Sequence, residues 1–164
     1  MCLRSLCFTL AALIATIARA DRPNAPATPP PPAPIIFDAT LVGDTIVAVG
    51  SDGTVLHHRN DQPTWEVVAS GTEANLCGVS FADARYGWIV GHGGTILRSA
   101  DGGLTWQSRG PRRSHHLGFL DVLALAPNHV IVIGGNGVYR ETRDGGETWL
   151  PREVIEERVH LNRI

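Results

Sequence analysis

From residue 37 onward, apolar and polar positions alternate in runs too short for helices. Residues 45–49 (TIVAV), 88–90 (WIV) and 129–133 (HVIVI) are rich in β-branched side chains, and each leads into a pair of glycines. Such runs, bounded by glycine, are strand signals. Another candidate strand precedes each run, at 37–42, 77–81 and 121–125, and another follows the glycines, at 54–58, 95–99 and 138–142. A fourth begins near Trp65, Trp106 and Trp149. The pattern predicts four short strands in each of three units, with almost no helical periodicity.

The three units are copies of one another. Gly50 and Gly53, Gly91 and Gly94, and Gly134 and Gly137 each stand three residues apart. From the first glycine of a pair to the tryptophan the distance is 15 every time, and the glycines step by 41 and then 43. Before the tryptophan runs an Asp-box motif, Ser/Thr-x-Asp-Gly-Gly-x-Thr-Trp, at Ser99–Asp101–Gly103–Trp106 and at Thr142–Asp144–Gly146–Trp149. Residues 58–65 are a worn copy with Asn60 in the aspartate's place. The motif has the chemistry of a turn. A carboxylate accepts backbone N–H groups ahead of it, a hydroxyl ties the turn's start, and two glycines supply positive φ. Periods in the low forties suit four-stranded propeller blades. The predicted fold is therefore all-β: β-propeller repeats, about three four-stranded blades forming a partial propeller, with boundaries at 37–75, 76–119 and 120–154. Residues 155–164 would be a C-terminal tail or the start of a fourth repeat.

The segment before the repeats changes the picture of where the protein works. Arg4, a mostly apolar run at 6–17 and the triplet Ala18-Arg19-Ala20 have the form of a signal peptide over residues 1–20. The run falls short of the roughly 20 apolar residues that span a bilayer, so it predicts cleavage and export to the periplasm or beyond. It does not predict a membrane-spanning protein once the signal is removed. Cys2 and Cys7 would leave with the peptide, and Cys77, expected as a small buried residue of a strand, could then form no internal disulfide. Residues 21–36 hold seven of the eleven prolines and predict an extended linker.

Charge narrows the function classes. The chain has 14 arginines and no lysine; without Arg4 and Arg19, 12 arginines face 16 carboxylates, a formal charge of −4. That balance argues against nucleic acid as a partner. The missing lysine excludes Schiff-base chemistry, and no helix follows the glycine pairs to make a phosphate cradle.

The Asp-box turns, with Tyr86-Gly87-Trp88-Ile89-Val90-Gly91-His92-Gly93-Gly94 leading into one of them, resemble the BNR-type repeats of photosystem II stability and assembly factors. The resemblance covers about residues 37–154 and is strong in the second and third units. It implies a propeller of six or seven blades, without catalysis or cofactor, that binds partner proteins outside the cytoplasm. The chain departs from the family in having three units. The missing part of a ring would then come from a homodimer or from a complex with another chain. The alternatives are a truncated relative without independent function and, a weaker one, a sialidase-like glycoside-active protein.

Asp boxes also occur in sialidases, which need a tyrosine nucleophile, an acidic partner and an arginine cluster. Tyr86 falls in a turn, Tyr139 takes a core position held by Val55 and Ile96 in the other units, and Arg98 aligns with His57 and Glu141. No catalytic site is expected from them. The histidine pairs His57-His58 and His115-His116 invite a metal reading, but neighbours on a strand point to opposite faces. No metal site is expected either. The loop Arg109-Gly110-Pro111-Arg112-Arg113-Ser114-His115-His116 concentrates positive charge in an acidic protein. Arg109, Arg112, Arg113, His115 and His116 are the candidate protein-binding residues, since arginine forks grip carboxylates in two-pronged geometry.

Overall fold

Why the glycines come in pairs is settled by how the second and third strands of each unit are joined. The computed structural model describes residues 33–111, 114 and 116–151, all within the unit that begins at Ala33. In each repeat a one-turn 3-10 segment, Ser51–Gly53, His92–Gly94 or Gly135–Gly137, links those strands. The first glycine of each pair has extended backbone, so its conformation suits any residue. A Cβ at Gly50, Gly91 or Gly134 would instead strike the carbonyl oxygen of Ile35, Asn75 or Gly118 at 2.0–2.1 Å. That carbonyl accepts a hydrogen bond from the residue after the glycine, at 2.8 Å for Ser51 and 2.9 Å for His92. The second glycine has φ of +69°, +70° and +71° in turn, where a side chain is strained. One pair thus answers two different demands.

The first blade is β1 (Ile36–Val42), β2 (Thr45–Gly50), β3 (Val55–Arg59) and β4 (Glu66–Val68). The second is β5 (Leu76–Phe81), β6 (Gly87–Gly91), β7 (Ile96–Ser99) and β8 (Gln107–Ser108). The third is β9 (Phe119–Ala126), β10 (His129–Gly134), β11 (Tyr139–Thr142) and β12 (Leu150–Pro151). Each is a four-stranded antiparallel sheet in chain order. The fold is all-β, as the alternation predicts, and among the described residues there is no α-helix. Residues 1–20, most of the linker and the tail at 155–164 lie outside the described residues.

The core consists of the two surfaces between blades. Val47, Val49 and Val55 of the first blade meet Leu76, Val79, Ile89 and Leu97 of the second. Trp88, Val90 and Ile96 of the second meet Phe119, Val122, Val130 and Val132 of the third. Each fully buried aliphatic side chain contributes about 1.5–3 kcal/mol, which makes these surfaces the main support of strands only two to eight residues long. The innermost strands are also stitched together. The Val79 N–H donates to Asp38 Oδ2 at 2.9 Å, and the Ala124 N–H donates to Ser80 Oγ at 3.1 Å.

Two expectations about burial need correction. Tyr139 is half-buried, because Val55 and Ile96 are covered by the following blade and Tyr139 points away from the second blade. Cys77 is also half-buried; it lies at the register shift between Leu76 and Gly78, and partial burial pushes its thiol upward. The same logic explains the exposed apolar residues of the first blade. Leu76, Phe81 and Trp106 pack against a preceding blade, whereas their counterparts Ile36, Leu41 and Trp65 are 42%, 65% and 48% exposed.

Candidate partner-binding surface

Both Asp-box turns close on their own side chains. In the second blade the Thr105 N–H donates to Asp101 Oδ1 at 3.0 Å, and the Thr105 hydroxyl to Oδ2 at 2.6 Å. The Ser99 hydroxyl donates to Asp101 Oδ1 at 2.7 Å while its oxygen accepts the Gly103 N–H at 2.8 Å. The third blade repeats this with Thr142, Asp144, Gly146 and Thr148, the Gly146 N–H reaching Thr142 Oγ1 at 2.9 Å. The glycines carry φ of +79° and +90° in one turn and +75° and +87° in the other. The hydroxyl and backbone bonds from Thr148 hold the Asp144 carboxyl well below the usual carboxylate range. Asp101 is also lowered: partial burial raises it, but the bonds from Thr105 and Ser99 together outweigh that. In the worn first copy Gln62 N–H bonds back to the Arg59 carbonyl at 2.9 Å, and an exposed Arg59–Asp61 pair lies at 3.2 Å.

The tryptophans that end the two Asp boxes pack against the apolar surfaces between blades, Trp106 beside a ring of its own blade and Trp149 beside one of the preceding blade. Trp106 meets Phe81 edge-on at 6.0 Å, and Trp149 meets Trp88 edge-on at 5.9 Å. The Trp149 indole N–H donates to the Arg109 carbonyl at 2.8 Å, whereas the buried Trp106 indole nitrogen has no partner. Trp65 stacks on His58 at 4.9 Å on the blade's open side.

The basic connector divides into parts of different character. Arg109 is half-buried: its N–H donates to the Ile96 carbonyl at 2.8 Å, and its side chain lies against Gly146. Buried Ser114 donates its hydroxyl to the Pro111 carbonyl at 2.6 Å, and His116 is exposed. Arg112, Arg113 and His115 lie outside the described residues. A cleft of about 290 Å³ lined by Gly94, Ser108, Gly110, Pro111 and Ser114 runs beside the connector.

The residues weighed for catalysis are held in packing. Arg98 stacks over Tyr86 at 5.2 Å and Trp88 at 5.6 Å, and it donates to Asn128 Oδ1 at 3.3 Å. Glu141 is buried against His129 at 2.9 Å and Arg143 at 2.6 Å. His57 is 4% exposed, and burial lowers its pKa against the pull of Glu66 and Asp101. Among the described residues no cluster of three or more metal-ligating side chains is present, and no helix is long and apolar enough to cross a membrane. Sequence reasoning did not anticipate a groove between the first and second blades, with His57 in its lining. Its signal was the unlike set His57, Arg98 and Glu141 at one aligned position.

Comparison with known proteins places these blades. Residues 56–119 match the family model "Photosynthesis system II assembly factor YCF48". The photosystem II assembly protein Ycf48 of Thermosynechococcus vestitus is 32% identical over 119 residues, which are 71% of this chain and 34% of that protein. The chain thus spans about a third of the length of that relative. A solved structure described as "YCF48 bound to D1 peptide" is similar with a TM-score of 0.69 at 25% identity, over 79% of this chain and 43% of that one. YCF48 from Cyanidioschyzon merolae gives 0.65 at 28% identity, over 80% and 40%. An ancestral GH74 enzyme shares the fold alone, with a TM-score of 0.61 at 10% identity over 78% of this chain and 19% of that one.

Proposed function

We propose, for a chain that belongs to the photosystem II assembly factor-like family, the role of an exported, non-catalytic β-propeller scaffold that binds partner proteins during assembly. The observation that carries this reading is the likeness of its three blades to YCF48, a protein solved with a D1 peptide bound. Support for export comes from the signal-peptide pattern at 1–20 and from relatives described as photosystem II assembly lipoproteins.

The partner side chains that suit the connector are acidic. Arg112 and Arg113 supply the charge, while Arg109 serves the fold as well, since its carbonyl holds Trp149. The partner is a protein segment outside the cytoplasm, not nucleic acid. The exposed Ile36, Leu41 and Trp65 further suit the packing face of another blade, contributed by a second copy or by a different chain.

Capture from the exported fraction at low and high salt tests the reading. The wild-type chain should retain a partner that an Arg112→Ala/Arg113→Ala variant loses, with binding that weakens as salt rises. Equal retention by both proteins would leave the loop as a connector only. No partner at any salt would remove the scaffold reading itself.

A further inference from the structure

His57 on β3 and Arg98 on β7 stand at one aligned position, each facing the turns of the following blade; Glu141 holds that position on β11, where it pairs with His129 and Arg143 of its own blade. Arg98 shows what that place accepts. Its guanidinium donates to the Pro127 carbonyl at 3.5 Å and to Asn128 Oδ1 at 3.3 Å. It lies so close to Gly145 that a Cβ there would meet its central carbon at 3.5 Å. The guanidinium thus fills the recess between the β9–β10 turn and the Asp box of the third blade.

One blade earlier the position belongs to His57, whose ring is too short to do the same. A groove of about 410 Å³ opens there, lined by Ala84 and Gly102, the counterparts of Pro127 and Gly145. Asp44, Glu66 and Asp101 stand exposed around it, and its one arginine, Arg59, is already paired with Asp61 at 3.2 Å. His57 lies buried among the lining residues with Nε2 turned to Gly103, where a Cβ would come within 2.8 Å of it.

We propose that this groove receives an arginine side chain of a partner protein, in the place that Arg98 fills from within one blade later. The inference rests on the reading of the chain as a protein-binding propeller and names one chemical feature of what it binds. Asp44 and Glu66 are the acceptors for the guanidinium. Asp101 adds charge, its oxygens already engaged by Ser99 and Thr105. His57 is buried beside the groove and supplies shape rather than an acceptor. A planar fork fits such spread acceptors better than the point charge of lysine.

The test uses the full chain, titrated with N-acetyl-arginine amide and followed by NMR, with the uncharged citrulline analogue as control. Saturable shifts of the His57 ring and of the Gly102 and Gly103 amides are expected with arginine and not with citrulline. Asp44→Asn/Glu66→Gln should weaken the affinity about threefold or more, and His57→Arg, filling the groove from inside, should abolish it. Equal shifts with citrulline, no shifts at any concentration, or unchanged affinity in the Asp44→Asn/Glu66→Gln protein would overturn the proposal. That double variant decides the matter if His57→Arg does not fold. Partner capture by the wild-type chain is read separately, so an empty groove and a failed scaffold reading remain distinct results.

Discussion

Asp101 and Asp144 each hold three donors from their own turn, and that makes the carboxylates structural rather than reactive. Replacing either with alanine strands a backbone N–H and two hydroxyls, while Asn60→Ala removes a side chain from a turn already closed by the Gln62–Arg59 backbone bond. Urea midpoints should therefore fall for Asp101→Ala and Asp144→Ala and change much less for Asn60→Ala; three equal midpoints would refute the ranking. The titration follows from the same bonds. Asp144 and Asp101 have folded pKa values below their unfolded ones, so the folded state binds fewer protons. Their contribution is present above the ordinary aspartate value of about 3.9 and is lost as pH falls below it. His57 is lowered by burial, so protonation also favours the unfolded chain, but in a higher window. Its contribution is present above about 6.5 and declines as pH falls from there toward its folded value. A melting-temperature profile should show both limbs, and His57→Gln should remove the upper one only. A profile unchanged by that substitution would mean His57 does not titrate between the blades.

Two Asp-box turns of one sequence pattern differ in what their tryptophans do, and the difference can be measured. Trp149 has both an edge-on partner ring and a hydrogen bond to the Arg109 carbonyl, whereas the buried Trp106 indole nitrogen bonds to nothing. Trp149→Phe should therefore cost about 1 kcal/mol more than Trp106→Phe. Trp149→Ala should cost roughly 3–5 kcal/mol, as for large rings removed from a core. Trp65→Ala should cost far less, since that ring is half in water. Chemical denaturation of the four variants checks the order, and an equal loss from both Phe changes would sink it. Glycine substitutions separate strain from collision in the same way. Gly43 and Gly146 both have positive φ, at +58° and +87°, but a Cβ at Gly43 meets nothing within 4 Å. At Gly146 it would lie 2.9 Å from the Trp88 ring. Gly43→Ala should show the left-handed strain of about 1–2 kcal/mol alone, and Gly146→Ala visibly more.

At the scale of the molecule, a blade of this kind offers two faces to neighbours. The second blade shows both covered, by Val47, Val49 and Val55 on one side and by Phe119, Val122 and Val132 on the other. The first blade's far face leaves Ile36, Leu41 and Trp65 in water, and the third blade's strand β9 leaves Leu123 and Leu125 exposed. Patches of that kind drive association. Expressed alone, residues 21–164 should therefore dimerise, join another chain or aggregate at micromolar concentration. Light scattering with a hydrophobic dye reads this directly; a dispersed monomer that leaves the dye dark would overturn it.

The sequence by itself determined the blades. Strand order, the Asp-box turns and the glycine pairs are local: hydrogen bonds within about a dozen residues and positive φ at fixed places suffice, so a repeat in the letters becomes a repeat in space. It could not show why Gly50, Gly91 and Gly134 are glycine, because the carbonyl they avoid comes from a segment some 15 residues earlier that only the folded blade brings near. Nor could it rank Tyr139 against Val55 and Ile96, since aligned positions look alike until one asks which neighbour covers them. The groove with His57 in its lining was hidden for the same reason. A histidine, an arginine and a glutamate at one aligned position carry no meaning singly. His57 and Arg98 acquire one when the next blade's turn arrives, and the volume left beside His57 is a difference between two packings that no single segment contains.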